Sequence, residues 1–160
     1  MSRCAIAAGS NLGDRLEHLT TAMGGLSAIG DIAEISSVYE TAPVGGPEQD
    51  PFLNAVVLID TARTPTALLR ELLLIERSRG RVRHERWGPR TLDLDLILFD
   101  QRSIDEPGLT VPHPQIGYRR FVLEPLLEIW PDAAMPDGSR VTAVEESVWA
   151  QKIQATSYQL

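Results

Sequence analysis

Cysteine and lysine are nearly missing from this chain, and long apolar runs are missing altogether. The single cysteine, Cys4, cannot close an internal disulfide, and one is too few for a zinc motif. Its apolar setting predicts a small buried residue. One lysine, Lys152, stands against fourteen arginines. Residues 9–13 are glycine-rich but lack the lysine and spacing of a Walker-type phosphate loop. No stretch is long enough to cross a bilayer, and Gly9, Ser10, Asn11 and Asp14 interrupt the apolar start, so no secretory core is expected. A cytoplasmic protein without a membrane partner is the expectation. His18, His84 and His113 lie too far apart for a metalloprotease motif, and no serine carries the signature of a nucleophilic triad. The net charge of −7 argues against a general nucleic-acid binder.

What is present is the composition of a globular domain, 43% hydrophobic and 23% charged over 160 residues. There is no linker, repeat or low-complexity segment, so a single domain over residues 1–160 is expected. The charge is unevenly placed. Arg77, Arg79, Arg81, Arg83, Arg86 and Arg90 crowd into fourteen residues, with Glu85 against them. Such a segment is either a solvated basic loop or a grip for polyphosphate, because arginine forks bind phosphate oxygens in pairs.

The segment runs straight into Leu92-Asp93-Leu94-Asp95-Leu96-Ile97-Leu98-Phe99. Strand alternation puts Leu92, Leu94, Leu96 and Leu98 in one row, and Asp93 and Asp95 on the other face with Ile97 and Phe99. Two carboxylates on an otherwise apolar face repel each other and are costly to desolvate unless a cation neutralises them. Hard oxygen ligands suit Mg²⁺, often as two ions. The pattern points to metal-assisted chemistry on a phosphate.

Residues 3–8 read as a first strand and residues 9–14 as the turn into a helix, with Asn11 or Asp14 as its cap. Leu12, Leu16, Leu19, Met23 and Leu26 keep helical spacing, and Gly30 is a stop signal. Residues 32–40 read as one strand, residues 41–51 as a long loop and residues 52–60 as a strand with an apolar centre. Thr64-Pro65 predicts a helix to about Arg77. Residues 110–114 read as irregular, and residues 120–129 as a short helix bent or delayed by Pro125. Alternating elements with long strand-to-strand loops favour an α+β layered domain over a doubly wound sheet. Phe52 and Asn54, two apart, project from one side of their strand, where an amide beside a ring either reads a flat heterocycle or completes a capped loop. Trp87, among the arginines, is a lid residue or a packing anchor.

The run from Arg86 to Asp95 resembles the signature of the hydroxymethyl-dihydropterin pyrophosphokinase family of the folate pathway. Gly9-Ser10-Asn11-Leu12-Gly13, Phe52-Leu53-Asn54-Ala55, Gly80-Arg81-Val82-Arg83 and Leu109-Thr110-Val111-Pro112-His113 extend the resemblance over residues 5 to about 138. It implies a ferredoxin-like layered α/β sandwich with a mainly antiparallel sheet. It also implies transfer of diphosphate from ATP to the hydroxymethyl group of 6-hydroxymethyl-7,8-dihydropterin, releasing AMP. ATP and this pterin are the expected partners, with no nucleic acid, and a monomer is the expected state. By motif, Asp93 and Asp95 would hold two Mg²⁺ ions, one bridging the α- and β-phosphates and the other β and γ. Arg81 and Arg90 match catalytic arginines of a mobile loop, with Arg83 a further phosphate contact and Trp87 closing over the site. Glu76, Leu96, Thr110, His113 and Arg119 match the ATP side. Thr41, Pro43, Val44, Phe52, Asn54 and Phe121 match the pterin side. The Asp-x-Asp pair taken alone also fits another two-metal nucleotidyl transferase, and the arginines alone fit a nucleotide- or RNA-binding module.

Overall fold

Two local signals start the long helices. The Asp14 carboxylate accepts from the Glu17 N–H at 3.0 Å, and the Thr64 hydroxyl accepts from the Ala67 N–H at 3.2 Å, each satisfying a donor that the first helical turn leaves open. In a computed structural model, which describes residues 1–42, 48–80 and 91–160, these caps open α1 (Arg15–Ser27) and α2 (Pro65–Ser78). Asn11 does not cap. Its Nδ2 donates to Gln49 Oε1 and to the Asp50 carbonyl, pinning the loop before the fourth strand. Leu12 stays outside the helix and is exposed.

The strands are β1 (Ser2–Ser10), β2 (Asp31–Ile35), β3 (Tyr39–Thr41), β4 (Phe52–Thr61) and β5 (Asp93–Phe99), then a hairpin of β6 (Ile104–Glu106) and β7 (Leu109–Val111). A third helix, α3 (Arg120–Ile129), precedes a turn of 3-10 helix (Glu146–Ala150) and β8 (Ile153–Ala155). The main sheet runs β5-β1-β4-β3-β8, with β2 also pairing β4, and every pairing is antiparallel. Counting β2 and β3 as one interrupted strand, the order is that of a ferredoxin-like α+β fold, as expected.

Residues 32–40 are not one strand. The Ser36 hydroxyl accepts from the Val56 N–H at 2.9 Å, where a backbone carbonyl would otherwise stand, and the Ser37 N–H turns away to the Glu128 carboxylate. The ladder breaks there. Residues 109–111, too, belong to the short hairpin, so the irregular backbone begins only after Val111.

α1 and α2 cover one face of the sheet through Leu19, Leu26, Leu68 and Leu72, all fully buried against Ile6, Val57 and Ile59. α3 covers the other through Val122, Leu123 and Leu126 against Ala5, Val56 and Leu58. Cys4 lies in the first core as expected, and burial pushes its thiol up to about 12. Pro125 sits buried inside α3, denying the Phe121 carbonyl a helical partner without ending the helix.

One expectation about β5 fails halfway along it. Ala5 pairs Leu98 but Ile6 pairs Leu96, so Ile97 is an extra residue, a bulge that reverses the alternation. Leu98 therefore joins Ile97 in the α3-side core, and Phe99 joins Leu94 and Leu96 in the other. Asp93 and Asp95 precede the bulge and keep their common face.

Candidate active site

The register of four strands builds a polar end into the α3-side face. Thr41 pairs Phe52, Asn54 pairs Gly9, Gly9 pairs Asp93, and Ala7 pairs Asp95. Directly paired residues share a face, so Thr41, Phe52, Asn54, Ala7, Gly9, Asp93 and Asp95 form one continuous patch. A pocket lies over it, walled by Gln49, Ile97, His113, Arg119, Phe121 and Val122. The patch needs a glycine at its centre. A Cβ on Gly9 would come within 2.8 Å of Asn54 Oδ1 and 3.6 Å of the Phe52 ring.

Two hydrogen bonds fix polar groups on the walls of this pocket. Asn54 Nδ2 donates to the Thr41 hydroxyl at 2.6 Å, in a buried setting, which fixes the amide with Oδ1 toward Gly9. On the far wall, His113 Nδ1 accepts from the Gln115 N–H at 3.1 Å, which places the proton of the neutral ring on Nε2. Burial, and next the Arg119 charge, hold this imidazole below its ordinary value, against the pull of Asp93. The Arg119 guanidinium lies 5.7 Å from the centre of the Phe121 ring, within cation–π range.

The carboxylate end is built differently. Asp93 and Asp95 are half-buried on the pocket side of β5. Between them the Leu94 N–H donates at 2.8 Å to Glu76 Oε2, a carboxylate of α2 that is 2% exposed. Glu76 thus grips the outer edge of β5 from the helix side and keeps the two aspartates aimed at the pocket.

The structure brings together Thr41, Phe52, Asn54, Asp93, Asp95, His113, Arg119 and Phe121 of the residues expected from sequence. Among the described residues, three others stand apart from the pocket. Leu96 packs in the α1/α2 core, Thr110 is exposed on the β6–β7 hairpin, and Glu76 lies behind the strand. Pro43, Val44, Arg81, Arg83, Trp87 and Arg90 lie outside the described residues. Sequence reasoning missed Ala7, Gly9 and Gln49. The signal for the first two was available: Ala5, Ala7 and Gly9 are small residues at strand spacing, which leaves room above that face.

Comparisons with known proteins identify the family. The family model for 7,8-dihydro-6-hydroxymethylpterin-pyrophosphokinase matches residues 5–131. A 2-amino-4-hydroxy-6-hydroxymethyldihydropteridine pyrophosphokinase of Bacillus subtilis is 45% identical over 150 residues, covering 92% of this chain and 90% of its own. The Pseudomonas aeruginosa protein of the same name is 41% identical over 140 residues, 86% of each chain. Among solved structures, an HPPK-DHPS in complex with substrates superposes with a TM-score of 0.70 at 13% identity, covering 93% of this chain and 43% of that one. Plasmodium falciparum HPPK-DHPS gives 0.66 at 14% identity, covering 84% and 42%. This chain therefore spans less than half the length of those two, and they speak for the fold alone. The match over residues 5–131 takes in every strand of the pocket patch, and with it the chain belongs to the 7,8-dihydro-6-hydroxymethylpterin-pyrophosphokinase family, enzymes that transfer diphosphate.

Proposed function

We propose that this chain moves the β,γ-diphosphate of ATP onto the hydroxymethyl oxygen of 6-hydroxymethyl-7,8-dihydropterin, a step of folate biosynthesis, and releases AMP. One observation carries the reading: an amide with a fixed hydrogen-bonding edge and a pair of carboxylates occupy the same sheet face, separated by Gly9. The amide end suits a flat heterocycle, with Phe52 and Phe121 as its aromatic walls and Asn54 Oδ1 as an acceptor for a ring N–H.

The carboxylate end suits Mg²⁺. Asp93 and Asp95 offer hard oxygen donors on one face, and a small octahedral cation completes its shell with water and substrate phosphate. When bound there, two Mg²⁺ ions would neutralise phosphate charge, align the displacement and acidify the attacking hydroxyl. The chain's own residues do the rest. Asn54 and Thr41 set the orientation of the ring, so that its hydroxymethyl arm points along the sheet toward Asp93. Glu76 holds the aspartates in place through the strand backbone. His113, neutral with its Nε2 proton outward, and Arg119 offer donors to oxygens of the nucleotide. In this reading the protein acts as a monomer.

Purified protein mixed with ATP, Mg²⁺ and the pterin alcohol should form AMP and pterin diphosphate in equal amounts. No AMP should form when the alcohol is left out. AMP that appears without the alcohol, or diphosphate found on nucleic acid, would overturn the reading.

A further inference from the structure

We infer that the C-terminal strap, residues 145–156, is a brace that sets the gap between the two walls of the heterocycle pocket, with Gln151 as its positioning residue. The inference rests on the pterin pocket assigned above. The strap lies outside the segment that the family model matches, which ends at residue 131.

The two walls come from distant parts of the chain. Thr41 ends β3, whereas Arg119 and Phe121 open α3. The entry to α3 is poorly secured by its own sequence. Arg119, at the cap position, makes no side-chain cap bond, and the Arg120 N–H, like any first helical N–H, needs an acceptor from outside the helix. Gln151 supplies it. Its Oε1 accepts from the Arg120 N–H at 3.0 Å, its Nε2 donates to the Tyr118 carbonyl at 2.9 Å, and its own carbonyl accepts from Arg120 Nη1 at 2.8 Å. One residue thus fastens both peptide groups that flank Arg119.

Two residues later the same strap becomes β8 and pairs with β3, Ile153 opposite Thr41 and Ala155 opposite Tyr39. Thr156 closes the attachment, donating from its N–H and its hydroxyl to the Val38 carbonyl at 2.9 and 2.8 Å. Thr41 is the residue that orients the Asn54 amide. The strap therefore ties the amide-orienting wall to the aromatic wall across a span of only a few residues. Thr41 and Ala42, which line the pocket, also line the groove beside Gln151, so the brace borders the site directly.

Calorimetric titration with 6-hydroxymethyl-7,8-dihydropterin, in the presence of a non-hydrolysable ATP analogue and Mg²⁺, tests this on the full chain. Gln151→Ala should weaken pterin binding about five- to tenfold, the scale of one or two lost hydrogen bonds. Gln151→Glu keeps the acceptor for Arg120 but loses the donor to the Tyr118 carbonyl, and should recover part of the affinity lost by the alanine variant. Gln151→Met keeps the bulk without the amide and should repeat the alanine result, including where the alanine variant proves unstable. Leu68→Ala, in the α1/α2 core on the other face of the sheet, should lower the melting temperature and leave pterin affinity unchanged. The inference is overturned if Gln151→Ala and Gln151→Met bind pterin like the parent, if Gln151→Glu binds as weakly as they do, or if Leu68→Ala weakens pterin as much. Asn54→Ala separates this from the pocket assignment: if it too leaves pterin affinity intact, the pocket is misplaced, whereas loss there alone rejects the brace.

Discussion

At the scale of single residues, the proposed reaction rests most heavily on Asp93, Asp95 and Gly9. Replacing either aspartate with alanine should remove roughly 3 kcal/mol or more of transition-state stabilisation, a loss in kcat/KM beyond about a hundredfold. The fold should survive, because neither side chain belongs to a core cluster. Steady-state kinetics at saturating Mg²⁺ checks this, and near-normal turnover by either variant would refute the metal role. Gly9→Ala tests the other end. Its new methyl would meet Asn54 Oδ1 at 2.8 Å, a close approach that costs typically about 1–3 kcal/mol in a packed site. Pterin affinity should fall several-fold while ATP affinity holds, and titration with each ligand separates the two. The aspartates were legible because charge on an apolar strand is conspicuous. Gly9 was not, because its role exists only through a register that pairs it with residues 45 and 84 positions away. The Arg3–Asp60 pair across β1 and β4 gives a test in pH. Arg3, by hydrogen bond and charge, holds the Asp60 carboxyl below its ordinary 3.8. A lowered carboxylate stabilises the fold above its unfolded value and loses that effect as pH falls through the folded one. Both groups are partly exposed, so Asp60→Asn should cost under about 1 kcal/mol at pH 7, and the gap should close below about pH 4. Urea midpoints across that range measure it; a gap that stays constant would mean the charge is irrelevant.

At the scale of elements, α1 and α2 were legible from caps and periodicity, while the interrupted β2–β3 pair and the β5 bulge were not. Both misses have the same physical origin. Side chains or extra residues took over backbone hydrogen bonds: Ser36 in the break between β2 and β3, Ile97 by stepping out of the ladder. Alternation counts residues and cannot see where the ladder skips one. The neighbouring glycines of α1 make a sharper test of packing against propensity. Gly24 is exposed, with nothing within 4 Å of a Cβ, whereas a Cβ on Gly25 would press on Ile75 at 2.9 Å where α1 crosses α2. Gly24→Ala should therefore stabilise by about 0.5–1 kcal/mol through helix propensity, and Gly25→Ala should lose at least that gain to the clash. Thermal melts of the two variants report it, and equal stabilisation by both would mean the helices are not in close contact.

At the scale of the whole molecule, two cores share one sheet, because β1, β4 and β5 send alternate residues to the α1/α2 side and the α3 side. Neither core can be lost while the other keeps its sheet. Leu68→Ala, under α2, and Leu126→Ala, under α3, should each cost about 2–5 kcal/mol and shift one common transition. Far-UV dichroism and tryptophan fluorescence, with Trp130 and Trp149 both packed on the α3 side, should give coincident curves; separate transitions would mean that the layers fold independently. The layered class was legible from the order of elements, but the strap was not, since its fastening to Tyr118, Arg120 and β3 is entirely long-range. The same shared sheet has a consequence for what the pocket can accept. Gly9 is in register with Asn54 on one side and Asp93 on the other, so amide and carboxylate are held two rungs of a ladder apart, roughly 9.5 Å between strand axes. Rungs are fixed by backbone hydrogen bonds and do not lengthen when a side chain changes. In the proposed reading the sheet is in effect a gauge for the molecule laid across it, ring at one end and reacting oxygen at the other. A site carried on loops could retune that span with a rotamer; this one would have to gain or lose a strand.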